Sequence, residues 1–198
     1  MRILTVLRSG GDFRIEHVER LRDQCAEYAP DTPFWCLTDD DRWTGNWIRL
    51  EHDWPGWWAK MEMFRQPGPC LYMDLDTTIT GSLEPLLAIA QGCDSLMVLR
   101  DFNHPQRDVQ SSLMAWSGDQ SALYQAFAAA PARHMAENKT PRWWGDQAFI
   151  ERNSKPEFWQ DILPGAAVSW KKHCKAGIPD TARVVIFHGK PRPWEAGL

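Results

Sequence analysis

The spacing of apolar and polar positions changes several times along the chain, and each change marks an element. Ile3, Leu4, Thr5, Val6 and Leu7 form a short run rich in β-branched residues that stops at Ser9-Gly10-Gly11. This predicts a buried strand running into a loop. Over residues 14–28 the period becomes helical, with Ile15, Val18, Leu21, Cys25 and Tyr28 near one face and Pro30 as the stop. Residues 34–37 predict a second strand that runs into Asp39-Asp40-Asp41, and residues 47–50 a third. Residues 57–64 predict a helix with Lys60 and Glu62 at polar positions, closed by Pro67-Gly68-Pro69. Residues 70–73 predict a fourth strand, leading into Asp74-Leu75-Asp76. Beyond it the pattern predicts a helix over 84–90, strands over 95–99 and 112–116, and an Ala-rich helix over 119–130. Residues 131–145, with two prolines and the pair Trp143-Trp144, read as loop. A short helix over 146–152 and a last strand over 184–187 follow, and a Pro-rich turn over 188–194 comes after that strand.

Strands alternating with helices predict an α/β fold with a mostly parallel sheet flanked by helices. No internal repeat or linker divides it, so a single domain over residues 1–198 is expected. In such sheets ligands bind beyond the carboxyl ends of the strands. Two polar clusters fall there: residues 74–78 after the fourth strand and residues 188–190 after the last.

Composition narrows the picture. The net charge of −4 gives no electrostatic footprint for wrapping nucleic acid. The five cysteines are scattered without a CxxC pair, which argues against a zinc ribbon or disulfide framework and fits a reducing compartment. The first apolar run is closed by Arg8, too short for a signal-peptide core, and no stretch approaches the roughly 20 apolar residues of a membrane span. A cytoplasmic location is expected. The 12 tryptophans outnumber the phenylalanines and tyrosines, and several cluster: Trp54, Trp57 and Trp58, then Trp143 and Trp144. Such clusters build either an aromatic core or flat platforms for ligands.

Asp74-Leu75-Asp76 is the central chemical signal. In extended chain two carboxylates at i and i+2 point the same way and can reach one divalent ion. Mg²⁺ and Mn²⁺ take oxygen ligands and bridge phosphate oxygens. A chance Asp-x-Asp is expected about once in a chain of this size, and Asp39 and Asp41 form a second pair. Context separates the two. Asp39-Asp40-Asp41 runs on to Arg42 and Gly45 and looks like a solvated turn, whereas Asp74 and Asp76 are framed by Leu71-Tyr72-Met73, Leu75 and Ile79. Carboxylates in an apolar frame are costly unless paired or metal-bound.

The segment from Leu71-Tyr72-Met73 through Asp74-Leu75-Asp76-Thr77-Thr78-Ile79-Thr80-Gly81-Ser82-Leu83 resembles the strand–DxD–helix segment of GT-A-fold (Rossmann-like) glycosyltransferases. It is closest to the retaining family that includes glycogenin and the lipopolysaccharide galactosyltransferases. Three further segments agree in order: Phe34-Trp35-Cys36-Leu37-Thr38-Asp39, Gly145-Asp146-Gln147, and His188-Gly189-Lys190-Pro191-Arg192-Pro193-Trp194. The resemblance implies a GT-A sheet and transfer from a nucleotide-sugar, a UDP-sugar, to an acceptor hydroxyl with retention. It implies Mn²⁺ (or Mg²⁺) held by Asp74, Asp76 and His188, and a diphosphate met by Gly189 with Lys190 or Arg192. The last motif is more compact than in the family, which leaves open which of those cations meets the diphosphate. Asp146 and Gln147 would lie beside the donor sugar. Leu4, Thr5, Leu7, Asp39 and Leu75 would edge the nucleotide. Lys60 would approach the diphosphate or, on its helix pattern alone, stand on a solvated face. The C-terminal helices that some members use at membranes are not expected.

Two other readings use the same residues. A metal-dependent nucleotide-sugar hydrolase or nucleotidyltransferase would hold its ion on the same pair, and a non-catalytic module would bind carbohydrate on the tryptophans. The acceptor, whether glycan, lipid-linked sugar, protein or modified nucleic acid, is not written in the sequence.

Overall fold

A computed structural model describes residues 1–104 and 107–198. In chain order its main elements are strand β1 (Arg2–Leu7), helix α1 (Ile15–Tyr28), strands β2 (Phe34–Thr38) and β3 (Trp47–Arg49), a 3-10 helix (Gly56–Arg65), strands β4 (Cys70–Met73) and β5 (Thr77–Ile79), and helix α2 (Glu84–Gly92). Strands β6 (Met97–Arg100) and β7 (Val109–Trp116) follow, then helices α3 (Ser121–Ala128), α4 (Pro131–Glu137) and α5 (Gly145–Asn153). The chain closes with β8 (Glu157–Phe158), the one-turn helix α6 (Trp159–Ile162), β9 (Ala167–Ser169), the one-turn helix α7 (Trp170–His173) and β10 (Val184–Ile186).

Seven strands form one sheet in the order β3-β2-β1-β4-β7-β6-β8. β1 lies parallel to β2 and β4, and β2 parallel to β3; β7 runs antiparallel to both β4 and β6. Side chains alternate across this sheet, as strand geometry requires. Ile3, Leu7, Leu71, Met73, Leu113 and Ala115 pack on one face with Val18, Leu21 and Cys25 of α1 and Leu86 and Ala90 of α2. Leu4, Tyr72, Met114 and Trp116 pack on the other with the 3-10 helix, Phe127 of α3 and Phe149 of α5. Burial on both faces explains why these strands read as apolar runs rather than as alternating patterns.

The expected α/β class and mixed, mostly parallel sheet are present. Several local readings differ. Residues 57–64 form a 3-10 helix rather than an α-helix, and the charges at its polar positions, Lys60 and Glu62, are buried, with 7% and 1% exposure. Residues 131–145 are not all loop, because α4 begins at Pro131, where proline costs no helix hydrogen bond. β5, β8 and β9 have only two or three residues each, too few for a periodic signal. β5 and β9 matter, because with β10 between them they form a second sheet. β10 runs antiparallel to β5 and parallel to β9, which delivers the residues after Ile186 to the carboxyl end of β4. Phe187 N donates to Asp76 O at 3.2 Å. The five cysteines are buried thiols, and among the described residues no helix is long and apolar enough to cross a membrane.

Glu62 shows what a buried carboxylate does in this fold. Its two oxygens accept the backbone N–H groups of Glu51 at 2.8 Å and His52 at 3.0 Å, fixing the chain that leads to the 3-10 helix. Glu62→Ala is expected to lower the unfolding free energy by about 2–4 kcal/mol, and Glu62→Gln, which keeps one acceptor, by less. Urea unfolding of the three proteins checks this; an unchanged midpoint for Glu62→Ala would refute it.

Candidate active site

After Met73 the chain leaves the large sheet and turns to enter the small one. Asp74 N donates to Ser112 O at 2.9 Å, and Thr77 N donates to Asp74 O at 3.0 Å, closing the turn. Asp74-Leu75-Asp76 therefore sits on a tight turn and not in extended chain, because two sheets must be joined within three residues. Helix α1 clamps this turn. Arg20 Nη2 donates to Leu75 O at 2.9 Å and Thr77 O at 2.7 Å, and Gln24 Oε1 accepts from Ile79 N at 3.1 Å. Burial lowers the Arg20 pKa to about 10 against the pull of Asp76, so the clamp stays charged at neutral pH.

On the other side of the turn stands Lys60. Its Nζ lies 3.1 Å from Asp74 Oδ1 and 2.9 Å from Asp146 Oδ2, and it donates to Ser111 Oγ at 3.1 Å. Ser111 Oγ donates to Asp146 Oδ2 at 2.6 Å, and the Tyr72 hydroxyl donates to Asp74 Oδ1 at 2.5 Å. Burial opposes the charge on Lys60, but Asp146 and Asp74 outweigh it and hold the ammonium above the ordinary lysine range. Burial, with Asp74 next to it, pushes the Tyr72 hydroxyl well up, so it remains a neutral donor. Asp146 does not cap its helix: it is the second residue of α5, and Trp144 holds the cap position.

Asp76 points to the C-terminal segment, where Arg192 Nη1 donates to its Oδ2. Arg192 Nη2 lies 3.5 Å from Asp12 Oδ2. Burial and the like charge of Asp74 push the Asp76 carboxyl up to about 7, against the opposing pull of Arg192. His188 sits just past β10. Its Nε2 is 2.6 Å from Ser169 Oγ and its Nδ1 is 2.7 Å from Asn103 Nδ2. Burial and the Lys171 ammonium lower its pKa to about 4, so the ring is neutral at physiological pH.

These groups line one cavity of about 620 Å³ at the carboxyl ends of β1 and β4. Of the residues singled out in the sequence, Lys60, Asp74, Leu75, Asp76, Asp146, Gln147, His188, Gly189 and Arg192 are on its wall. Leu4, Thr5 and Leu7 are not: they are 0%, 0% and 1% exposed, locked in the core, and Thr5 Oγ1 donates to Met73 O at 2.9 Å. The neighbouring Val6 and Arg8 reach the cavity instead. Asp39 stands one layer back. It accepts from Ser9 N at 2.8 Å, Ser9 Oγ at 2.6 Å and Arg8 Nη1 at 2.6 Å, and so positions the Arg8 side chain. Partial burial would raise its carboxyl, but these partners hold it below the usual range. Lys190 turns outward to Glu195 at 3.0 Å. Lys60 is no solvated charge: the sequence hid this because a 3-10 helix does not obey the α-helical period. Ser111 and Ser112 were missed. The run Gln110-Ser111-Ser112 at the head of the apolar β7 was the available signal, since buried polar residues at a strand end need partners.

Among the described residues no three His, Cys, Asp or Glu side chains form a ready cage for an ion. The donor chemistry nonetheless suits a divalent cation: two carboxylates close in sequence, one of them buried beside the charge of the other, and a neutral imidazole on the same cavity wall.

No family model matches the chain, and no curated protein matches it in sequence. Solved structures do match. The glycosyltransferase GlyE of Streptococcus pneumoniae TIGR4 superposes with a TM-score of 0.70 at 13% identity, covering 98% of this chain and 56% of GlyE. LgtC, a galactosyltransferase in complex with donor and acceptor sugar analogs, gives 0.68 at 11% identity, covering 98% of this chain and 89% of LgtC. The chain has the GT-A fold. The bifunctional glycosyltransferase WbbM gives 0.60 at 10% identity, with 98% of this chain and 46% of that one covered. The chain thus spans little more than half the length of GlyE and less than half of WbbM. In this GT-A chain the cavity lies beyond the carboxyl ends of parallel strands, the usual ligand position in open α/β sheets.

Lys60→Met would leave Asp74 and Asp146 facing each other without their cation. The expected cost is about 3–5 kcal/mol of unfolding free energy. The double variant Lys60→Met with Asp146→Asn should recover part of it. Urea unfolding of the two variants beside the parent checks this; an unchanged midpoint for Lys60→Met would show that the ammonium does not hold the site together.

Proposed function

We propose that the chain is a glycosyltransferase that moves a sugar from a nucleotide-sugar, a UDP-sugar, to an acceptor hydroxyl with retention of anomeric configuration. The observation that carries this reading is the convergence of Asp74, Asp76, Asp146, Gln147, His188 and Arg192 on one cavity of a GT-A fold. Asp74, Asp76 and His188 are the groups that would hold a divalent cation, Mn²⁺ or Mg²⁺. Once bound, such an ion supplies Lewis acidity to a leaving diphosphate. Of Lys190 and Arg192, Arg192 is the one on the cavity wall and so the one placed to meet that diphosphate. Gly189 suits it too: its φ of +81° is a backbone conformation that side chains disfavour, and it leaves an open approach. Lys190 reaches the diphosphate only by leaving Glu195.

Gln147 supports the reading from the sugar side. It lines the cavity, and its side chain makes no hydrogen bond to any described residue. A mutant of LgtC with an active-site Gln replaced by Glu has been solved, and that structure matches this chain with a TM-score of 0.64 at 11% identity. The amide oxygen of Gln147 is suited to face an anomeric carbon that gains positive charge as the glycosidic bond breaks. The pairing of the carboxylates nearest the proposed sugar position supports retention. An inverting reaction needs a free general base opposite the leaving group. Asp146 is tied to Lys60 and Ser111, and Glu151 is tied to Arg142. The departing phosphate oxygen can instead take the acceptor's proton on the same face.

A screen of UDP- and GDP-sugars with Mn²⁺, read as released nucleotide with and without acceptors, tests the reading. Release that is indifferent to every acceptor would make the protein a hydrolase. Asp74→Asn or Asp76→Asn should lower turnover at least a hundredfold, and EDTA should do the same. Asp39→Ala should retain a larger share, because it acts on the cavity only through Arg8. Equal loss in Asp39→Ala and Asp76→Asn, or full activity in EDTA, would overturn the assignment. The anomeric coupling in the NMR spectrum of the first-formed product should match that of the donor; an inverted product would move Asp146 into the role of base.

A further inference from the structure

One wall of the cavity is not used by any step above. Trp57 and Trp144 line it, exposed by 48% and 44%; Trp47 and Trp194 are exposed elsewhere, and Trp43, Trp54, Trp58, Trp116 and Trp159 are buried. Two indoles left in water beside a cavity forgo the burial that large aromatic side chains ordinarily gain. Their placement is built. Gly145 has a φ of +68°, and a Cβ there would stand 3.0 Å from Trp57 Nε1, so glycine lets the start of α5 close against the Trp57 ring. The two ring centroids are 6.3 Å apart with planes at 46°. Neither indole N–H meets an acceptor among the described residues, a state they share with most tryptophans of the chain, and Trp57 Nε1 faces Gly145.

We infer that Trp57 and Trp144 are the acceptor platform, and that the acceptor presents there a neutral pyranose with an open C–H face. The inference rests on the proposed transfer reading and names the substrate class for it. Trp57 lies one turn of 3-10 helix before Lys60, and Trp144 lies two residues before Asp146, so the wall rises beside the groups assigned to the donor sugar. Gly56, Trp57, Trp144 and Gly145 carry no charge, which suits an uncharged polyol and offers nothing to a phosphate or carboxylate. A flat base held between two rings needs parallel walls about 7 Å apart, two contacts of about 3.5 Å. Rings at 46° do not make such a slot. A puckered sugar ring can rest its C–H groups on one indole and turn its hydroxyls toward the free N–H of the other.

The test uses the full chain and its indole N–H resonances in proton–nitrogen correlation spectra, with Trp57→Phe and Trp144→Phe identifying the two peaks. The probes are methyl β-D-glucopyranoside, methyl β-D-galactopyranoside, UDP and adenosine. Both peaks should shift with at least one pyranoside. The Trp57→Ala/Trp144→Ala protein should bind that pyranoside at least tenfold more weakly, with its UDP affinity changed less than the pyranoside affinity. Trp57→Phe, which keeps the ring and loses the N–H, should fall between parent and Trp57→Ala. Peaks that move with adenosine or UDP and not with pyranosides would make the wall a base-stacking surface and overturn the inference. Peaks that move with no probe would overturn it as well. Pyranoside shifts in a protein that turns over no nucleotide-sugar would leave the platform standing and remove the transfer reading.

Discussion

The cavity depends on a buried ammonium. Lys60 comes from the 3-10 helix, Asp74 from the turn after β4, Asp146 from the first turn of α5 and Ser111 from β7, and all meet at one nitrogen. An isolated charge in that position would be costly, and so would either carboxylate alone. Each is tolerable because the others are present, which makes the geometry cooperative: none of the segments can shift without exposing an unpaired charge. The arrangement places four segments of the chain in fixed register around the cavity, and it holds Asp146 in a bound state rather than leaving it free as a base.

The second constraint is the joining of two sheets. β4 ends at Met73 and β5 begins at Thr77, so the chain must reverse its course within Asp74-Leu75-Asp76. Arg20 pins the carbonyls of that turn from α1 while Lys60 and Arg192 take its carboxylates from opposite sides. The small sheet then returns the C-terminal segment to the same place, through Phe187 N on Asp76 O. Residues 74–76 and 188–192 are far apart in sequence and adjacent here because β10 pairs with β5.

The large sheet and α1 were legible because their signals are physical and local: apolar runs where strands are buried on both faces, and a helical period closed by Pro30. That Asp74 and Asp76 reach the cavity was legible because carboxylates in an apolar frame need a reason. Lys60 was misjudged because the helical template put it among polar positions, and burial through ion pairing leaves no trace in the periodicity. Leu4, Thr5 and Leu7 were placed at the nucleotide by likeness to a fold, but Thr5 and Leu7 point to the other face of the sheet, Leu4 lies deeper along the strand, and all three are buried, which leaves Val6 and Arg8 at the cavity. The polar run Gln110-Ser111-Ser112 marked the head of β7 as unusual, but that Ser111 meets Lys60 and Asp146 depends on β7 running antiparallel to β4, a pairing that no local pattern encodes.

Charge balance ties the two halves of the cavity together. Its wall carries the carboxylates of Asp12, Asp74, Asp76 and Asp146 against the cations Arg8, Lys60 and Arg192, with His188 neutral. A nucleoside diphosphate is itself an anion, so it gains little from this wall as it stands. Asp76 is pushed up to about 7 by burial first and by the neighbouring Asp74 charge second. On the proposed reading, a divalent cation held by Asp74 and Asp76 would offset the excess of carboxylates on that wall, and Arg192 would add its charge for the phosphate. The aromatic half has no such problem, because a neutral polyol feels neither the excess charge nor its correction. On the proposed reading, donor binding is therefore coupled to the cation and acceptor binding is not, and that asymmetry follows from where this chain has put its charges and where it has put its tryptophans.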